Sequence, residues 1–160
     1  MEIRAAQPQD AERLSAIAFA AKAHWGYEAD VLEEWRNELT ISPSDVLVYP
    51  TYVAVSNDEI AGFYMLKRGL SQWILEHVWI DPPSMNKGAG VQLVRHALEQ
   101  AALGGAKSVV VASDPNAAGF YEHAGGTRCG TTPAPIPGAP GRTLPLYQFQ
   151  VYVATGSAEP

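Results

Sequence analysis

The chain has one cysteine, Cys129, so no internal disulfide can form and its cysteine usage is compatible with a reducing compartment. No apolar run approaches the roughly 18 residues that a membrane-spanning helix needs, and the opening residues MEIRAAQPQD lack the basic and apolar regions of a secretory leader. His24, His77, His96 and His123 are scattered without metal-ligand spacing, so no metal is expected. Basic residues are also scarce: 11 Lys and Arg stand against 17 Asp and Glu, a formal net charge of −6. Such a surface cannot neutralise phosphates over a broad face, which excludes a nonspecific nucleic-acid binder. It suits a cationic amine partner, although bulk charge mainly serves solubility. These exclusions leave a soluble, cytoplasmic globular protein with no membrane segment as the expectation.

With 160 residues, 47% of them apolar, and four tryptophans, the chain can bury a sizeable core. One domain over residues 1–154 is expected, followed by a short tail at 155–160. The stretch from Trp73 to Gly104 organises it: an apolar strand (WILEHVWI), a turn (DPPSMNKGAG) and an amphipathic helix. A helix N-terminus has backbone N–H groups without intrahelical partners and carries partial positive charge, so it attracts anions. Gly88 and Gly90 lack Cβ atoms and let a phosphate come close, and Lys87 adds a cation; alternatively, the two glycines only shape a tight turn. Two phosphate-binding alternatives fail on spacing. The run Gly104 to Lys107 stands at a helix end rather than after a strand, and MNKGAGVQL supplies only the first G-x-G of a dinucleotide fingerprint.

Taken in order, MEIRAA alternates as a first strand, and Asp10 is placed to cap a helix carrying Leu14, Ile17, Ala18 and Ala21. Gly26 can stop that helix, and a second follows through Val31, Leu32, Trp35 and Leu39. Ile41 to Pro50 reads as an irregular connector with one helical turn at Ser44 to Leu47. TYVAV and IAGFYMLKR form a hairpin around Ser56 to Glu59. In the central helix Val91, Val94, Leu98 and Ala101 form an apolar stripe that Leu93 and Ala97 widen. The strand KSVVVAS follows, and Asp114-Pro115 opens a short helix that Gly125-Gly126 closes. TRCG is a short strand, the prolines and glycines of TTPAPIPGAPGRTLP exclude regular structure, and LPLYQFQVYVA is a last strand.

The succession of strand, glycine turn, helix, strand and DPNAAGFYEHAGG resembles the GNAT N-acetyltransferase superfamily. The resemblance covers most of the chain and is strongest from Leu75 to Gly126. That superfamily's acetyl-CoA motif is a strand, then [Q/R]-x-x-G-x-[G/A], then a helix. Gly88 and Gly90 match its small positions. Met85 falls where Gln or Arg is usual, which removes one side-chain contact to the pyrophosphate and weakens CoA binding. Asn116, Phe120, Tyr121 and Gly125 match the second motif, in which Asn precedes a short helix bearing Phe-Tyr and then a glycine pair.

The resemblance implies an α/β fold with a mixed, mostly antiparallel sheet of six to seven strands flanked by about four helices. It also implies acetyl-CoA as co-substrate and direct transfer of the acetyl group to a primary amine, here of a small molecule, in a ternary complex. The backbone of Val78, Trp79 and Ile80 would polarise the thioester, and Lys87, Gly88, Ala89, Gly90 and Val91 would hold the pyrophosphate. Asn116 and Phe120 would flank the pantetheine arm, and Tyr121 would donate a proton to the departing sulfur; each also has a plain structural reading, as helix-start or core residues. Glu76 and His77 are ionisable residues in an apolar strand and are the two candidates for the base. Strand alternation places them on opposite faces, Glu76 with Ile74, Val78 and Ile80, and His77 with Trp79. His24, Trp25 and Tyr27, joining the first two helices, border the acceptor in relatives, as does the loop of Arg142; Trp73 and Trp79 complete an aromatic set suited to an ammonium. The competing reading is a CoA-binding sensor or scaffold without activity, favoured by Met85. A homodimer through the last strand is a further expectation.

Overall fold

The computed structural model describes residues 1–151, so the end of the last expected strand and the expected tail lie outside the described residues. Among these residues one sheet holds seven strands: β1 (Glu2–Ala5), β2 (Thr51–Ser56), β3 (Glu59–Lys67), β4 (Gln72–Ile80), β5 (Ser108–Ala112), β6 (Thr127–Pro133) and β7 (Thr143–Gln150). Their order is β1-β2-β3-β4-β5-β7-β6, and every pairing is antiparallel except that of β4 with β5. The β2–β3 hairpin turns on Asn57 and Asp58 with φ of 52° and 64°, the left-handed pair that a two-residue turn requires.

Among the described residues six α-helices flank the sheet where about four were expected: α1 (Ala11–Ala23), α2 (Ala29–Glu34), α3 (Arg36–Leu39), α4 (Pro43–Val48), α5 (Ala89–Leu103) and α6 (Ala118–His123). The expected second helix breaks at Trp35 into α2 and α3, and the connector yields α4. There the Ser42 hydroxyl accepts from the Asp45 N–H at 3.0 Å while the Asp45 carboxylate accepts from the Ser42 N–H at 2.9 Å, a reciprocal cap ahead of Pro43. Asp10 does not cap α1 with its side chain. Its carboxylate accepts from the Gln7 N–H at 2.8 Å and from Arg4 at 3.0 Å, closing a short turn before the helix. No helix among the described residues is long and apolar enough to cross a membrane.

Helices α1, α3 and α4 bury Leu14, Ile17, Leu39 and Val46 against Val53, Phe63 and Met65 on one face of the sheet. On the other face, α5 buries Leu93, Val94, Ala97 and Ala101 against Tyr64, Leu66, Leu75 and Val109. Each fully buried large aliphatic side chain contributes about 1.5–3 kcal/mol, so both helical layers are fixed to the sheet. The proline-rich segment is more regular than expected. Strand β6 runs on through Pro133, which an edge strand tolerates because an N–H missing from its outward side breaks no ladder bond. A bridge between Ile136 and Ala139 closes the remaining loop.

Trp73, expected beside the acceptor, is a core residue, 4% exposed in the layer under α5. Its ring fills the place a side chain would take at Gly104, where a Cβ would stand 2.3 Å from ring atom Cη2. A Gly104→Ala variant should therefore lose about 1–3 kcal/mol of stability in urea unfolding, through overpacking of that ring.

Candidate active site

Strands β4 and β5 pair at only three positions, Gln72 with Ser108, Trp73 with Val109 and Ile74 with Val110. Beyond Ile74 the two strands part, and Leu75 to Ile80 keep β3 as a neighbour but have no strand on the β5 side. Successive backbone N–H groups of a strand turn to alternate edges, so part of those in Val78 to Ile80 open onto this gap. A crevice at the carboxyl ends of parallel strands is where α/β sheets commonly hold ligands.

A cavity of about 500 Å³ occupies the gap, bounded by Val78, Trp79 and Ile80, by the turn from Ser84, by the start of α5 and by α6. Gly88 stands at the N-cap of α5 with φ of +88°, and a Cβ there would meet nothing within 4 Å. The first bond of the helix runs from the Gln92 N–H to the Gly88 carbonyl at 3.2 Å, so the amides of Ala89, Gly90 and Val91 precede it without helical partners. Gly90 is small for a different reason than anion approach: a Cβ there would stand 2.9 Å from the Phe120 ring. Met85 forms part of the wall, and Lys87 is exposed outside it. The cavity therefore offers an anion main-chain donors at a helix end.

Tyr121, on α6, also lines this helix-end cavity. Its ring stacks on Tyr147 with centroids 6.2 Å apart and meets Phe120 edge-on at 5.0 Å. Burial, reinforced by the charge of Asp114, raises its ionisation well above the ordinary phenol value, so it stays protonated. Its hydroxyl has no protein hydrogen-bond partner among the described residues. A buried donor without a partner is costly unless something in the cavity receives it.

The expected alternation of Glu76 and His77 is wrong, because β4 carries a bulge. His77 pairs with Met65 and Leu75 with the next residue, Leu66, leaving Glu76 as an extra residue. Trp73 and Leu75 face α5 before the bulge, and Val78 and Ile80 do so after it. Glu76 thus does not share the face of Val78 and Ile80. Instead Glu76 and His77 open together into a second cavity of about 480 Å³, under α1, α3 and α4. Glu76 lies 3.8 Å from the Lys67 ammonium. His77 accepts a hydrogen bond at Nδ1 from the Trp79 indole N–H at 2.9 Å, so its neutral ring carries its proton on Nε2. Burial lowers the His77 pKa, against the opposing charge of Glu76. Trp79 lines both cavities and is the wall between them.

Of the remaining expected acceptor residues, Arg142 lines the bulge cavity. Trp25 lines the helix-end cavity instead. His24 is exposed at the end of α1 and lines neither, and Tyr27 and Asn116 face one another across Asp114. The Tyr27 hydroxyl donates to the Asp114 carboxylate at 2.8 Å, and the Asn116 amide donates to the same carboxylate at 2.9 Å and to the Tyr27 oxygen at 3.3 Å. The Asn116 amide is held inside this cluster rather than at the cavity where a pantetheine arm was expected.

Residues 11–126 match the model of the acetyltransferase (GNAT) family. The chain belongs to that family. No curated protein sequence matches it significantly. Among solved structures, the fold is similar to that of the PaiA N-acetyltransferase from Thermoplasma acidophilum in complex with coenzyme A. The TM-score is 0.75 and the identity 17% over 93% of this chain and 98% of that one. It is similar also to the ribosomal-protein-S18-alanine N-acetyltransferase from Escherichia coli, with TM-score 0.71 and 16% identity over 99% of each chain. A GNAT family acetyltransferase from Elizabethkingia anophelis with acetyl-CoA bound gives TM-score 0.58 and 20% identity over 68% of this chain and 80% of that one.

In this GNAT chain the sequence reading missed Lys22, Trp35, Glu38 and Lys67 on the bulge cavity and His123 on the helix-end cavity. Lys22 looks like an ordinary last-turn cation of α1, and only the fold brings it to Asp114. For His77 the sign of its pH effect follows from its lowered pKa: the neutral ring favours the folded state above about pH 6.5, the ordinary value. That contribution is lost as pH falls through the lower folded value. Thermal unfolding at about pH 7.5 and about pH 5.5 should show a larger drop for wild type than for His77→Gln, whose amide oxygen can still accept from Trp79.

Proposed function

We propose that this GNAT protein transfers the acetyl group of acetyl-CoA directly to a primary amine of a small molecule, within a ternary complex. The observation that carries the reading is the meeting of two cavities at Trp79, one built from helix-end donors and the other holding a carboxylate. When bound, acetyl-CoA supplies a thioester whose acyl carbon is open to an amine and whose sulfur can leave as thiolate. The free amides of α5 and the open Gly88 position suit its pyrophosphate through main-chain contacts alone. The N–H groups of Val78 to Ile80 that open onto the gap are the donors for the acyl oxygen.

Glu76 is the base that takes the proton of the incoming ammonium, directly or through a water. His77 does not compete for that task, because its Nδ1 is engaged by Trp79 and its Nε2 carries a proton. It holds the Trp79 wall and offers a donor to the bulge cavity. Tyr121 gives its phenolic proton to the departing sulfur, a role suited by its buried hydroxyl, which has no protein partner among the described residues. Cys129 is exposed on the edge strand β6, apart from both cavities, so no acyl-cysteine is invoked. A second reading, a CoA-binding sensor without turnover, rests on Met85, which lines the helix-end cavity without a polar head.

Calorimetry with acetyl-CoA, followed by thiol release with a panel of amines on the same sample, tests the reading. Binding should be seen for wild type and lost in Gly88→Trp, whose side chain would enter the open cavity. Thiol should be released with some amine. Binding without release across the panel would favour the sensor, and absence of binding would overturn both readings. With a substrate in hand, Tyr121→Phe should lower kcat about 10²- to 10⁴-fold with little change in acetyl-CoA affinity; unchanged kcat across pH would remove Tyr121 from the acid role.

A further inference from the structure

The wall of the bulge cavity carries side chains of both signs, Lys22, Lys67 and Arg142 with Glu38, Asp45 and Glu76, and two of its cations keep N–H groups that no protein acceptor among the described residues fills. Lys22 and Arg142 both line it, and each side chain is only 12% exposed. They share one carboxylate, Asp114, whose side chain is 6% exposed. That carboxylate is already saturated. Oδ2 accepts from the Lys22 ammonium and the Tyr27 hydroxyl, and Oδ1 accepts from the Asn116 N–H at 2.8 Å and the Asn116 amide at 2.9 Å. Four donors fill the acceptor sites of a carboxylate. Arg142 is left at 3.9 Å from Oδ2, outside hydrogen-bond range.

Arg142 uses its guanidinium on the Ala134 carbonyl at 3.1 Å and the Tyr27 oxygen at 3.1 Å. Its other N–H groups, and two of the three on Lys22, have no protein acceptor among the described residues. Both cations lie over the ring of Trp35, Lys22 at 4.5 Å and Arg142 at 5.3 Å, which partly offsets but does not cancel their charge. Glu38 lines the same cavity without an ion pair to either. Largely buried donors left without acceptors are costly unless something in the cavity receives them, and beside two cations an anion does so with charge-assisted hydrogen bonds.

We infer that Lys22 and Arg142 form a subsite for a carboxylate on the acceptor, so that the molecule acetylated is an amino-carboxylate, with its amine at Glu76. The inference rests on the acetyltransferase reading for the amine end, and on the unfilled donors of Lys22 and Arg142 for the acid end. The planar fork of arginine suits a carboxylate, and a cavity with cations at one wall and the Glu76 carboxylate at another suits a molecule bearing both charges. Both ends lie in one cavity of about 480 Å³, within the range of small-molecule sites.

The test uses matched sets of an amino acid, its amide and the amine lacking the carboxyl group. The full-length protein is assayed for thiol release and, separately, titrated by calorimetry with N-acetylglycine and with N-acetylglycinamide. The acids should exceed their amides and decarboxylated partners in kcat/KM by at least about tenfold, because an analogue that leaves buried polar groups unpaired is strongly rejected. N-acetylglycine should bind and the amide should not. In Arg142→Gln, checked for an unchanged melting temperature, both preferences should collapse, and Arg142→Lys should keep part of them. Arg142 is the position to vary because removing Lys22 would leave Asp114 buried and short of its counter-ion. Turnover of amines with no preference for the acid would overturn the subsite and leave the transferase standing. Selective binding of N-acetylglycine without turnover of any amine would sustain the subsite and remove the transferase. If neither acid nor amide binds and no amine turns over, both fall.

Discussion

The parting of β4 from β5 after three paired residues is the constraint on which the rest of the site depends. A continued ladder would occupy the N–H groups of Val78 to Ile80 and close the crevice between the strands. The bulge at Glu76 acts on the same segment. By inserting one residue it reverses the facing of everything that follows, so that Val78 and Ile80 join the α5 side while His77 and Trp79 turn to the opposite cavity. One strand therefore supplies surface to both cavities, and the indole of Trp79 separates them.

The electrostatics divide along the same lines. The helix-end cavity relies on main-chain dipoles and a protonated phenol, with Lys87 outside the wall. The bulge cavity holds formal charges of both signs, fixed by aromatic rings and by one saturated carboxylate. That division suits a chemistry in which one partner is recognised mainly by backbone and the other by side chains. The fold leaves the second recognition open: the Escherichia coli neighbour acts on a ribosomal protein's alanine, with the same architecture.

Most of the fold was legible in the sequence because its periodicities are strong. The β2–β3 hairpin, β4, α5 and β5 stand where alternation and helical spacing put them, and the glycine turn marks the start of α5. The failures have local causes. The bulge leaves no mark in WILEHVWI, since an apolar strand with one carboxylate reads as regular alternation until its partner's register is known. Trp73 was misread for the same kind of reason: an aromatic residue flanking a cleft and one filling the space above a glycine look alike in sequence. The Lys22–Asp114–Arg142 cluster joins three distant segments, and no spacing rule reaches across them. Proline content hid the length of β6, whose edge position removes the usual penalty.

The contact of Trp73 with Gly104 has a mechanical meaning. It clamps the last turn of α5 to the root of the strand gap, while the helix's first turn, about 22 Å away at 1.5 Å per residue, borders the helix-end cavity. The helix is a lever with its pivot at the glycine. A tilt of a few degrees at the pivot moves the far amides by about an ångström, enough to misplace a row of hydrogen-bond donors. The alignment of that cavity thus depends not only on the packing of Gly90 against Phe120 but also, at the remote end, on the absence of a single methyl group.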